Sequence, residues 1–191
     1  MQKRLVDDLK TYGVALRDDA NDIYGQDVVE KLHNDSIIKH AVTPMGDILY
    51  LTYRGRVKMG FKGGYKPKDQ ALMNAAFLRK VEENLVDRLG IVPVHDRKQS
   101  FSYELDGKRI LVLARQNGYT NMTVRRIYRE FIMTDLVDEI HFYYYDLNAE
   151  EINYLKNIFF MPQENKTILS EEAVKLYSID PDGYKLKEFS R

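Results

Sequence analysis

The chain has 191 residues and a formal net charge of zero, and its 44% hydrophobic and 30% charged residues are ordinary values for a globular protein of one or two domains. The absence of cysteine excludes a disulfide framework and any thiolate metal site, and it fits a reducing cytosol. No apolar run is long enough to span a membrane and the first residues lack the apolar stretch of a signal peptide, so we expect a cytoplasmic protein with no membrane partner.

Short helices are predicted along the first 35 residues. Apolar residues at helical spacing indicate helices over 2–11 and 14–23, and a third helix begins near Gln26 and closes at 33–35. Glycine at position 25 permits a tight turn between the second and third helices. The pattern is typical of a helix-turn-helix.

A β-hairpin and a further helix are predicted next. The β-branched stretch 36–42, the turn at 44–47 and the apolar run 48–51 predict a strand, a turn and a strand of the size of a wing. Residues 52–59 follow as a helix, and Thr52 is placed to cap it. Helices followed by a hairpin indicate a winged helix-turn-helix over residues 1–62, which predicts double-stranded DNA as the partner.

A family resemblance supports this interpretation. The run from position 36 to 60 resembles the segment of bacterial winged-helix regulators in which a strand leads through the wing to a Leu-Thr-x-x-Gly-Arg helix start; here the motif is Leu51, Thr52, Gly55 and Arg56. Residues 51–68 hold six lysines or arginines and no acid, as neutralisation of phosphates requires. We therefore predict the main DNA contacts at Arg54, Arg56, Lys58 and Lys62, with Lys31, Lys39 and His40 as secondary contacts.

The helix that should enter the major groove departs from this pattern. Residues 26–34 contain two acids and one lysine, which make a poor reader of base edges. Two alternatives stay open. Either the wing and the basic segment after it make most of the DNA contact, or this domain binds a protein.

An α/β domain with a mixed sheet is predicted over residues 68–191, after a glycine-rich linker, so that the fold class is α+β. Its predicted elements are a helix 68–89, strands 91–94, 100–105 and 109–114, a helix 123–133, a strand 139–145, a helix 148–160 and a short helix 170–174. The pair Asp106-Gly107 is a strong signal for a hairpin turn. Three consecutive tyrosines, 143–145, are interpreted as a central strand covered on both faces rather than a base-stacking platform.

The order helix, three strands, helix, strand, helix is similar to that of the PD-(D/E)XK nuclease-like fold. A winged helix joined to such a domain, often a degenerate one, is similar to the replication-relaxation family of plasmid- and phage-borne regulators. This resemblance covers most of the chain. It implies a role in DNA replication, relaxation or transcriptional control in a mobile element.

A Mg²⁺-dependent nuclease with a winged-helix targeting domain is the alternative enzymatic hypothesis. Such chemistry needs carboxylates around the metal and a nearby lysine, and the candidates are Asp96, Glu104, Asp106 and Lys108. The strand at 110–116 has no acidic residue, and the turn at 106–107 would separate the candidate side chains on either side of it. The sequence therefore favours a protein that is not an enzyme. The four histidines lack metal-ligand spacing, and no metal or cofactor is predicted.

The last third of the chain is acidic. Residues 135–191 carry 6 basic against 12 acidic residues, which favours a surface for a protein partner and gives a third hypothesis, a protein-interaction scaffold. A homodimer is also predicted, because winged-helix regulators usually read two half-sites.

Overall fold

The computed structural model describes residues 2–61, 67–97, 99–116, 118–161, 168–180 and 186–188. The chain divides into two compact units, Met1–Arg79 and Lys80–Arg191. The first contains helices and an antiparallel three-stranded sheet, and the second contains helices and a mixed six-stranded sheet. The predicted α+β class with a mixed sheet is confirmed.

The first unit combines short helices with short strands. In chain order its elements are α1 (Gln2–Tyr12), β1 (Val14–Leu16), α2 (Arg17–Tyr24), α3 (Gln26–Asn34), β2 (Ile38–Thr43), β3 (Gly46–Leu51) and α4 (Tyr53–Lys58). The strand order is β1-β3-β2, and both pairings are antiparallel.

One expectation for this unit was wrong. Residues 14–23 were predicted as a single helix, but the segment is a strand followed by a helix. Val14 and Ala15 are buried in β1, where they pair with Tyr50 and Leu49 of β3. Pairing with a distant strand therefore overrides the local helical spacing.

An apolar face of each of the first three helices contributes to the core of the first unit. Leu5 and Leu9 of α1, Ala20 of α2 and Val29 of α3 are at most 2% exposed and belong to one cluster. Gly25 has φ of 90°, a conformation that other residues adopt only with strain, and it ends α2 one residue before α3 begins.

A buried arginine on the next helix makes hydrogen bonds within the first unit. This helix, α5 (Asp69–Leu89), carries Arg79, whose guanidinium donates to the carbonyl oxygen of Val14 at 3.1 Å and to Asp8 Oδ2 at 3.2 Å. The hydroxyl of Tyr24 donates to the same Asp8 oxygen. Burial, together with Asp8, raises the pKa of Tyr24 to about 12, so the hydroxyl stays a donor.

The second unit is built on the six-stranded sheet, in the strand order β4-β5-β6-β7-β8-β9. After the second part of α5, its elements are β4 (Val94–Arg97), β5 (Ser100–Leu105), β6 (Lys108–Arg115), α6 (Asn121–Phe131), β7 (Glu139–Tyr145), α7 (Ala149–Phe160), β8 (Val174–Ile179) and β9 (Leu186–Glu188). The β6/β7 and β7/β8 pairs are parallel, and the other three pairs are antiparallel.

The short helix predicted at 170–174 was wrong. Residues 171–173 form a turn, and the chain then enters β8. Val174, Leu176 and Ser178 are buried, and the residues between them are less so, which is the alternation of a strand. The first strand of this unit also begins later than predicted, at Val94.

The strand β7 carries a buried tyrosine on each face of this sheet. On the helix-covered face, alternate residues of β6, β7 and β8 join α6 and α7 in one apolar cluster, which includes Leu111, Phe142 and Leu176. The opposite face carries Tyr143, and Tyr144 points to the helix-covered side; each is 2% exposed. Neither ring is therefore available to stack on a base.

Candidate functional site

The exposed surface of α3 changes charge along the helix. Asp27 and Glu30 are exposed in its first half, and Lys31 and His33 are exposed toward its end. Val29 and Leu32 are buried and hold the helix against the core. The half of α3 that carries Lys31 and His33 is therefore the half suited to an anionic partner.

The cationic end of α3 meets the hairpin strand β2. The ring centroids of His33 and His40 lie 5.6 Å apart, and Lys39 beside His40 is exposed as well. Three of the predicted contacts, Lys31, Lys39 and His40, therefore lie on adjoining elements. We call these three residues, with His33, the α3–β2 patch.

The tip of the hairpin carries no positive charge. Thr43 Oγ1 donates to the carbonyl oxygen of Gly46 at 2.8 Å and closes the turn, while Val42 is 79% exposed. Asp47, on the strand that returns, pairs with Arg17 at 3.5 Å. Electrostatic attraction of an anionic partner would thus come from the base of the hairpin rather than from its tip.

Two residues of the Leu-Thr-x-x-Gly-Arg motif have structural roles. The Thr52 hydroxyl caps α4 by accepting from the Gly55 amide at 2.9 Å, and it donates to the carbonyl oxygen of Ser36 at 2.6 Å. At Gly55 the helix passes so close to the chain that an added Cβ would stand 2.1 Å from the carbonyl oxygen of Ile37. The motif therefore joins the start of α4 to the turn that follows α3.

Short helix α4 combines basic and apolar side chains. Arg54 and Lys58 are exposed and Arg56 is half-buried, while Tyr53 and Val57 are 66% and 50% exposed. The predicted contact Lys62 lies outside the described residues. Three of the four main predicted contacts thus fall on one helix, which begins beside the residues that link α3 to β2.

Residues considered for nuclease chemistry are not gathered at one site. Glu104 faces Arg109 in the β5/β6 register, whereas Lys108 faces Leu105, so Glu104 and Lys108 point to opposite faces of the sheet. Asp106 lies in the turn between these strands, and the side chain of Asp96 lies outside the described part of the chain. Across that described part, no group of three or more acidic or histidine side chains is arranged to hold a metal ion.

A different polar cluster lies on the opposite face of this sheet. Lys108 Nζ is 2.5 Å from Glu139 Oε1, and Glu139 Oε2 is 2.9 Å from His141 Nε2. Glu139 and His141 are 8% and 7% exposed, and Nδ1 of His141 is buried with no hydrogen-bond partner among the described residues. The parallel pairing of β6 and β7 creates this cluster, because it sets position 108 beside the start of β7.

Burial and hydrogen bonding together determine the pKa values of the groups in this cluster. Burial acts to raise the pKa of Glu139, but hydrogen bonds from Lys108 and His141 outweigh it, and the net pKa is lowered. Burial lowers the pKa of His141, so the ring is held neutral. Burial and the charge of Glu139 raise the pKa of Tyr103 to about 12. A carboxylate, an exposed ammonium and a neutral imidazole therefore stabilise one another here.

Part of this cluster is visible in the amino-acid sequence. Glu139 and His141 are two apart in an otherwise apolar strand, so they share a face. Lys108 is 31 residues from Glu139, and only the strand register brings them together.

Comparison with known proteins assigns no family. No protein-family model matches the chain, and a search of curated proteins finds no match. Among the described residues, no helix is both long enough and apolar enough to cross a membrane.

Proposed function

We propose that residues 2–61 form a winged helix that binds double-stranded DNA and that the protein is a regulator of transcription or replication. The observation that carries this proposal is the order of elements. Three helices precede a hairpin, and the short strand before α2 pairs with the returning strand of that hairpin. Helices followed by a wing are typical of DNA-binding regulators.

The proposed DNA surface combines the α3–β2 patch with α4. Lys31 and Lys39 supply exposed charge beside two histidines, and Arg54 and Lys58 add charge next to the turn that follows α3. These side chains are suited to phosphates. Because Asp27 and Glu30 occupy the first half of α3, we expect little reading of base edges and binding that depends strongly on salt.

Fluorescence anisotropy with a labelled random-sequence duplex tests this proposal. Binding should weaken steeply between roughly 50 and 200 mM salt, because each neutralised phosphate releases counterions. The double variant Lys31→Ala/Lys39→Ala should bind more weakly, and its slope of log affinity against log salt should be shallower by about one for each lost phosphate contact. The triple variant Arg54→Ala/Arg56→Ala/Lys58→Ala should also bind more weakly and show a shallower salt slope.

The matched control is Lys3→Ala/Arg4→Ala, which removes the same charge as the Lys31/Lys39 pair from exposed positions on α1. This control should bind like the unmodified protein. If it weakens binding as much as the Lys31/Lys39 pair, only net charge matters and the proposed surface is wrong. If the unmodified protein fails to bind even at low salt, the DNA-binding proposal is wrong, and a protein partner is the hypothesis to test next.

We further propose that the chain is related to the replication-relaxation family, with a degenerate nuclease-like second unit. Support comes from the element order α5, β4, β5, β6, α6, β7 and α7 and from a sheet in which these strands are neighbours in sequence order. A nuclease is not proposed, because Glu104 and Lys108 point to opposite faces of the sheet. A homodimer and a protein partner for the acidic last third stay predictions.

A further inference from the structure

The helix-covered face of the second unit is only partly covered. The apolar cluster under α6 and α7 takes residues from β6, β7 and β8, and none from the described positions of β4 and β5. A cavity of about 730 Å³ lies over this uncovered part. Its walls are mostly apolar and include Leu89, Val92, Val94, Leu111, Phe131 and Leu136.

These walls leave unusual apolar surface in contact with solvent. Val92 is 79% exposed, and Val94, Leu89 and Leu136 are 48%, 46% and 52% exposed. Apolar side chains gathered around one cavity, rather than scattered singly, mark a place where a ligand or partner binds. The volume lies within the range typical of sites for small organic molecules.

A second cavity, of about 290 Å³, adjoins the first at the carboxyl end of β6. Ser100, Leu111 and Phe131 line both. The described walls of the smaller cavity include two cationic side chains, Arg115 and Arg126, and one acidic side chain, Glu130. We call the two adjoining cavities the groove; its larger part is lined mostly by apolar side chains, and its smaller part, the basic end, carries the two arginines.

The basic end holds donors that the protein does not use. Arg115 donates one hydrogen bond, from Nη2 to Gln99 Oε1 at 3.1 Å, and its guanidinium lies 4.8 Å from the ring centroid of Tyr119. Tyr119 is 7% exposed and lines this cavity, and its hydroxyl has no hydrogen-bond partner in the described part of the chain. Burial raises the pKa of Tyr119, so the hydroxyl is a donor at neutral pH. The remaining guanidinium N–H groups of Arg115 can donate to a bound anion.

We propose that this groove binds an anionic amphiphile, a small molecule with a carboxylate head and a long apolar tail. Its carboxylate contacts the guanidinium groups of Arg115 and Arg126. The tail lies against Leu111, Phe131 and Leu136 and covers the exposed apolar walls. Charge complementarity selects an anion, because two arginines and one acid line the smaller cavity among the described residues. The site lies wholly in the second unit and does not depend on DNA binding by the first.

The experiment uses dansyl-aminoundecanoic acid, a fluorescent fatty acid, and its methyl ester, titrated into the full-length protein. The acid should bind with enhanced, blue-shifted dansyl emission, and the ester should bind more weakly because it lacks the anionic head. Arg126→Gln and Arg115→Gln/Arg126→Gln should each raise the Kd of the acid by about tenfold or more, the loss expected for one charge-assisted hydrogen bond. Leu136→Asp, at a half-exposed position, should weaken the acid and the ester alike.

Arg129→Gln is the matched control, because Arg129 lies on the same helix and does not line either cavity. It should leave the Kd of the acid unchanged. The Arg126→Gln variant changes an exposed side chain and should melt like the unmodified protein, which separates loss of binding from loss of fold. Equal binding of acid and ester, an unchanged Kd in Arg126→Gln, or no binding at all would each overturn the proposal.

Discussion

The hydroxyl of Thr52 donates to the carbonyl oxygen of Ser36 at 2.6 Å while it caps the helix that follows. Thr52→Ala removes both interactions and should lower the free energy of unfolding by about 1 kcal/mol or somewhat more, the usual cost of losing a helix cap. Thr52→Ser keeps the hydroxyl and should recover most of the loss. Urea denaturation of the two variants measures the difference, and equal destabilisation would show that the methyl group matters instead.

Close approach at Gly55 gives a second prediction. Alanine normally favours a helix over glycine by about 1 kcal/mol, but here its Cβ would meet a backbone carbonyl oxygen. Gly55→Ala should therefore destabilise the protein by about 1–3 kcal/mol, as overpacking does. Val57→Ala, at a half-exposed position on the same helix, is the control and should change stability by less than about 0.5 kcal/mol. A stabilised Gly55→Ala variant would show that α4 is free to move.

A third prediction concerns the stability that the buried guanidinium of Arg79 contributes. Its guanidinium is buried and donates to a carboxylate and a carbonyl, so Arg79→Leu leaves both acceptors without that donor. We expect a loss of about 1.5–3 kcal/mol, the range for hydrogen bonds with a charged partner. Combining Arg79→Leu with Asp8→Asn in a double-mutant cycle should show a smaller loss than the sum of the two single changes. Strict additivity would mean that the two side chains do not interact.

His141 predicts how stability depends on pH. Burial lowers its pKa from the usual 6.5, so the unfolded chain binds a proton more readily than the folded one. The stability that comes from the neutral ring is thus fully present above pH 6.5 and is lost as the pH falls below it. Glu139, whose pKa is also lowered, keeps its contribution until more acid pH.

The melting temperature should therefore fall between pH 7.5 and 5.5 by more in the unmodified protein than in His141→Gln. Glutamine does not titrate but can still donate to Glu139. The remaining histidines are common to both proteins and cancel in the comparison. Identical pH dependence would mean that His141 is protonated as easily in the folded protein as in the unfolded chain.

Helices with strong local signals were predictable from the sequence. Asn148 and Glu151 form a reciprocal capping box, with both hydrogen bonds at 2.9 Å, and the helix they begin was predicted within one residue. The long helix α5 was likewise predicted within one residue, because its apolar residues repeat over 21 positions.

Elements that depend on distant partners were not predictable in this way. The strand β1 has three residues, too few to show a period of two. The segment before β8 begins Ser-Glu-Glu, which is typical of a helix start, yet pairing with β7 some thirty residues earlier decides its structure.

The two candidate sites also differ in how far the sequence predicts them. Basic residues near the hairpin are visible as composition, whereas the groove depends on where two helices stop covering a sheet. Tyr119 and Arg115 are close in sequence, but Arg126 joins them only because α6 packs back across β6. No local pattern carries that information.

The two-residue turn at Asp106 and Gly107, both with positive φ, joins β5 to β6 and sets their pairing. Inserting a single residue there would slip one strand against the other and exchange its two sides. Tyr103 would then leave the buried polar cluster, and Glu104 would bring a second carboxylate toward Glu139. The length of this turn therefore decides which side chains assemble the polar cluster.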